Sequence, residues 1–131
     1  MQLGHQSWTY LQGDQTWLGS EHGTTNARSV TIVTSSLTAA THFPNGFIPS
    51  GTPLAQFTGG PNAGKYTVYT PGGASGAGTL TGFLLDSVPI RNAAQDCVGA
   101  LHDHGRIVTA KLPIPIDAAG QAAVAGRMWF V

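Results

Sequence analysis

Between residues 41 and 57 the chain reads "THFPNGFIPSGTPLAQF", with proline at 44, 49 and 53 and glycine at 46 and 51. Each proline locks φ and removes a backbone donor, so no long helix can run through this stretch, while the glycines permit turns. The same stretch carries Phe43, Phe47, Ile48, Leu54 and Phe57, which are large enough to require burial. The core must therefore be assembled from short extended pieces held under turns. "PNG" and "PSG" read as two turns, with Phe47 and Ile48 between them and Leu54 to Phe57 after them as short strands.

The rest of the chain continues in this style. "SVTIVTS" from residue 29 is β-branched and alternates as a strand requires. "KYTVYT" and "TLTGFLL" are strand-like runs separated by Gly-rich loops, and Pro89 in "DSVPI" argues against a central strand there. "DCVGALHD" and "RIVTAKLPIPI" are expected to form a hairpin around "HDHG", with Arg106, Val108, Ala110 and Leu112 on one face and Ile107, Thr109 and Lys111 on the other. Asp117 is placed to cap a short helix over "AAGQAAVA", and "GRMWFV" closes the chain as an apolar strand anchored by Trp129 and Phe130. The expected fold is mainly β: a compact small domain of short strands and long Gly/Pro loops, with at most one or two short helices.

Residues 1–28 differ in character from the remainder of the chain. They are rich in Gln, Gly, Ser, Thr and His and show neither strand nor helix periodicity, which marks an extended arm preceding a domain at 29–131. The arm nevertheless carries Trp8, Tyr10, Leu11, Trp17 and Leu18, whereas disordered tails are poor in aromatics. These side chains either fold back on their own core or anchor the arm to another subunit. The expectation taken from the sequence is the second, because Trp and Tyr are favoured anchors at interfaces.

Charge narrows the range of partners. Only 9% of the 131 residues are charged and the formal net charge is zero, against roughly 25% charged residues in an average soluble domain. Little keeps such a surface apart from its neighbours, so much of it is expected to be covered by partners. Nucleic acid is disfavoured, because Arg28, Lys65, Arg91, Arg106, Lys111 and Arg127 are scattered rather than gathered into a stripe. No run approaches the roughly 20 apolar residues of a spanning helix, and no signal-peptide pattern opens the chain, so neither a membrane nor export is expected.

Chemistry-bearing patterns are few. His102 and His104 in "LHDHG" have the spacing of two residues on one strand face, a pattern used by some metal sites, with His5, His22, His42 or a carboxylate needed to complete the set. Polar turn residues are the expected reading, with no metal, cofactor or catalytic residue. Cys97 is alone and too far along a strand from either histidine to act with it as a nucleophile and base. "GGASGAG" lacks the Lys-Ser/Thr ending of a phosphate loop and is followed by a strand pattern.

Taken in order, "VTIVTSSLTAATHFPNGFIPSGTPLAQF", "GKYTVYTPGG", "TGFLLDSVPI" and "VGALHDHGRIVTAKLP" resemble the lambda-type head decoration proteins of tailed bacteriophages. The resemblance covers roughly residues 29–131 and lies in the order and spacing of the elements. It implies a β-tulip-like domain that forms a homotrimer on the outer surface of the capsid, at threefold positions, and stabilises the expanded shell. It also implies an amino-terminal arm that reaches the major capsid protein; the arm here is longer than in the shorter members and bears Trp. On this view Trp8, Tyr10, Leu11, Trp17 and Leu18 bind the capsid, and Phe43, Phe47, Ile48, Phe57, Trp129 and Phe130 pack the core or the trimer. Trp17→Ala, or loss of residues 1–20, is then expected to leave a folded trimer that no longer binds capsids. The rivals are another β-rich virion component, such as a tail or fibre module, a metal-dependent enzyme using His102 and His104, and a binder of single-stranded nucleic acid.

Overall fold

The computed structural model describes residues 14–131. Among these the elements run β1 (Arg28–Ile32), α1 (Ala39–His42), β2 (Phe47–Ile48), β3 (Pro53–Gln56), β4 (Tyr66–Val68), β5 (Leu80–Leu84), β6 (Val88–Pro89), β7 (Cys97–His102), β8 (Gly105–Ile107), α2 (Ala118–Ala123) and β9 (Met128–Phe130). The domain is mainly β and both helices are short. Pro53 is accommodated as the first residue of β3, and Pro89 lies in the two-residue strand β6, which among the described residues pairs only with β2. These are positions where a missing donor costs no ladder bond.

Five strands close a barrel in the order β1-β4-β3-β5-β7. The pairings are antiparallel except β1 against β4, which run parallel. Every barrel strand contributes to one buried cluster, Val30, Ile32, Leu54, Tyr66, Leu84 and Leu101, which Ile48 and Val88 extend. This cluster is the barrel interior. Adjacent residues of a strand face opposite ways, so Ala55 and Phe83, neighbours of Leu54 and Leu84, join a second cluster with Trp17, Tyr69, Leu80, Ile107, Val124 and Met128. That second core lies between the outside of β3 and β5 and a cover made from α2, β8, β9 and the segment around Trp17.

Two expectations from the sequence are corrected by the fold. The hairpin of β7 with β8 does not form: β7 pairs with β1 and β5, and β8 leaves the barrel to pair in parallel with β9. The alternation beyond Ile107 stops at a 3-10 turn over Thr109–Lys111. A period of two residues identifies a strand but carries no information on which strand it pairs with.

The second correction concerns the arm. Trp17 is fully buried in the chain's own second core, its ring 5.8 Å from that of Phe83 and its indole N–H donating to Ser50 Oγ at 3.0 Å. Leu18 bridges to Ile107 and packs on the same core. Backbone bonds from Gly19 N–H to Arg106 O (2.8 Å) and from Val108 N–H to Trp17 O (2.7 Å) lay the segment along β8 as a third strand-like layer. Residues 17–20 are therefore part of the domain. A fully buried side chain cannot at the same time anchor a partner. Trp8, Tyr10 and Leu11 lie outside the described residues.

Asp117 caps α2 as the sequence indicates, accepting from Gly120 N–H at 2.9 Å, and it also accepts from the Tyr69 hydroxyl at 2.6 Å. The Tyr69 bond first, then the Gly120 bond, hold the Asp117 carboxyl below its ordinary value. Burial, with Asp117 beside it, pushes the Tyr69 hydroxyl up to about 12. A raised folded-state value means that the folded chain keeps a proton the unfolded chain releases, so this contribution is complete below about pH 10 and is lost as pH rises toward 12. Urea unfolding of the wild type and of Tyr69→Phe, compared across that window, is expected to show the stability difference shrinking with rising pH; a constant difference would exclude the coupling.

Candidate functional site

The "HDH" residues end up in three different environments. His102, the last residue of β7, is fully buried, and its ring meets the Trp17 indole edge-on at 5.7 Å. Neither of its ring nitrogens has a hydrogen-bond partner among the described residues, although the Gly23 backbone approaches the ring. Burial pushes the imidazole below the ordinary histidine value. Asp103 turns outward to Arg28 at 3.2 Å, with Arg127 at 4.0 Å. His104 is exposed, its ring 5.7 Å from that of His22. The strand ends between the two histidines, so they do not share a strand face, and no group of three or more His, Cys, Asp or Glu side chains among the described residues is placed to hold a metal.

His42 and Cys97 are occupied locally. His42 Nδ1 accepts the Thr38 N–H at 2.9 Å at the start of α1, and burial lowers its pKa. Cys97 Sγ accepts from the Thr34 hydroxyl at 3.4 Å. The Gly-rich loop folds as consecutive turns, with Ser75 O receiving Thr58 N–H at 2.8 Å. A surface groove of about 440 Å³ beside the Trp17 segment is flanked by Gln15, Leu18, Ser20, Glu21, Thr24 and Leu85, with Glu21 as its titratable group.

The other distinctive feature is an apolar outer face. Trp129 is 68% exposed and Val131 60%, alternating with Met128 and Phe130, which turn toward the core. The Phe130 ring sits edge-on to Phe83 at 6.2 Å. On the β8 side the ladder is complete: Gly105 N–H donates to Arg127 O, Val131 N–H to Ile107 O and Thr109 N–H to Val131 O. Met128 N–H is taken by Val124 O. Beyond β8, β9 pairs with no strand among the described residues. The result is a sheet edge presenting a large aromatic side chain to solvent. Arg106, the register partner of Trp129, is exposed beside it.

The apolar residues named from the sequence therefore divide. Ile48 is fully buried in the barrel; Phe43 packs partly buried against the same cluster; Phe47, Phe57 and Phe130 are half-buried; Trp129 is exposed rather than anchored inside. Val131, which follows Trp129 in alternation, and the 66% exposed Val98 on β7 are further exposed apolar side chains; nothing in the sequence pattern of β7 flags Val98. Comparison of the chain with protein-family models, with curated proteins and with solved structures finds no match.

Proposed function

We propose that this chain is a head decoration protein: a homotrimer on the outer surface of a tailed-phage capsid, at threefold positions, that binds the major capsid protein and stabilises the expanded shell. The observation that carries the reading is the exposed Trp129 on the open edge of β9, with the exposed Val131 just beyond the strand. Monomeric proteins rarely leave a large aromatic side chain and an unpaired edge side by side, since together they invite association. The low charge and zero net charge of the whole chain agree with a surface that partners cover. The order of strand and turn segments that resembles the decoration family supplies the kind of partner.

With Trp17 in the core, the capsid-binding role falls to residues 1–13, which carry Trp8, Tyr10 and Leu11. Three such segments on a trimer would act together through effective concentration, so each can bind weakly while the trimer binds well. The test combines mass in solution by light scattering with co-sedimentation on undecorated phage heads. A trimer that pellets with heads is expected, and removal of residues 1–13, which spares Trp17, is expected to leave a trimer that stays in the supernatant. A full-length protein that is monomeric and does not pellet would overturn the reading; a truncated trimer that still pellets would move the contact to the β9 edge.

A further inference from the structure

His102 is fully buried with both ring nitrogens unpartnered among the described residues, an arrangement that native interiors rarely tolerate without a reason. Its position is specific. The ring lies under the segment 17–23: the Trp17 indole covers one side, and a methyl group placed on Gly105 would be 3.2 Å from His102 Nε2, 2.7 Å from His22 O and 3.5 Å from Ser20 Oγ. Among the described residues the segment is tied to the rest of the domain by Gly19 N–H to Arg106 O, Val108 N–H to Trp17 O, Arg106 N–H to Ser20 Oγ at 3.3 Å and the Trp17 indole N–H to Ser50 Oγ at 3.0 Å.

We propose that His102 is an acid-sensitive latch for this segment: uptake of a proton on the imidazole releases residues 17–23, with the Trp17 indole, from the barrel. The charges around the ring favour release. On its own strand end stand Asp103 and His104; the Asp103 carboxylate already faces Arg28 from β1 and Arg127 from the loop before β9, so its charge is taken up. From the segment come His22, whose ring meets His104, and Glu21, which is exposed; from β8 comes the exposed Arg106. From β5 the register partner is Phe83, which offers nothing polar. An imidazolium in this place is offset only by the Asp103 carboxylate, already engaged by two arginines, and by the nearby Gly23 backbone; burial outweighs both, and the ring gains hydration once the segment lifts. The inference does not depend on the decoration reading.

Burial sets the sign of the pH dependence, because it lowers the folded-state pKa. The opened form takes up a proton near the ordinary histidine value of about 6.5 and the closed form does not, so closure is fully favoured above about pH 6.5 and weakens as pH falls, by up to tenfold per pH unit for one proton.

Hydrogen exchange of the full-length protein, corrected for intrinsic rates, reads this directly at the Gly19 and Val108 amides, with the barrel amide of Leu84, bonded to Thr52 O, as reference. Gly19 and Val108 are expected to be less protected than Leu84 and to lose protection up to tenfold per pH unit below about pH 6.5. His102→Met is expected to abolish that dependence, and His22→Gln with His104→Gln to retain it. Equal protection at all three amides at every pH, or protection at Gly19 and Val108 that does not change with pH, would overturn the proposal. So would loss of the dependence in the surface double variant. Should the His102 variant fail to fold, imidazole NMR of the wild type decides: His102 titrating at or above 6.5 in the native protein also overturns it.

Discussion

Trp17→Ala is expected to cost about 3–5 kcal/mol of folding stability, the range for removing a fully buried large aromatic side chain. Trp17 is completely buried, stacks at a tilt on Phe83, and gives its N–H to Ser50 Oγ, which in turn donates to Leu85 O at 2.6 Å. Gly51 is shaped to it: with φ of +88°, it lets the indole approach so closely that a methyl group there would stand 2.7 Å from the ring. Alanine there leaves a cavity among the Phe83 and His102 rings, the Ser50 hydroxyl and the Gly51 turn. With total stabilities of small domains at about 5–15 kcal/mol, the variant would be marginal or unfolded. Urea unfolding followed by far-UV circular dichroism checks this. A midpoint within error of the wild type would place Trp17 outside the core. The same reasoning separates two truncations: loss of residues 1–20 removes Trp17 and the layer along β8 and is expected to lower stability at least as much as Trp17→Ala, whereas loss of residues 1–13 spares both.

Gly105→Ala is the second large effect, at about 2–6 kcal/mol. The residue has φ of +130°, a conformation that side chains other than glycine rarely adopt, and that strain costs about 1–3 kcal/mol. The added methyl would also press on the His22 carbonyl at 2.7 Å and on the His102 ring, an overpacking of about 1–3 kcal/mol. Both neighbours belong to the latch, so the segment 17–23 is the element that must yield. Thermal unfolding against Gly126→Ala, where a methyl meets nothing within 4 Å, isolates the effect. Equal midpoints for the two variants would contradict the packing described at Gly105.

The legible parts of the fold are those written in local chemistry. β2 and β3 fall between the Pro/Gly turns, Asp117 caps α2, and "MWF" forms the last strand, each because backbone preference and nearby hydrogen bonds decide it. What failed depends on partners distant in sequence. The role of Trp17 is set by Ser50, Phe83 and His102. The glycines that make its segment resemble an arm are in part close-approach positions: a methyl on Gly19 would stand 2.7 Å from the Arg106 side chain, and one on Gly23 2.6 Å from His104 O. The site was half legible for the same reason. "HDH" drew notice by spacing, but the end of β7 at His102 separates one buried imidazole from one exposed, and only the folded chain brings His22 to His104.

The barrel closes where β1 meets β7, pairing Arg28 with Leu101 and Ile32 with Cys97. Most of the chain must be organised before that seam can zip, and the loop-closure entropy is lost before any of its bonds form. Topologies dominated by such distant pairings fold in about milliseconds to seconds rather than microseconds. Until the seam closes, β1 and β7 each expose an unpaired edge, so the newly made chain is most prone to mispairing with its own copies before, not after, it becomes a closed barrel.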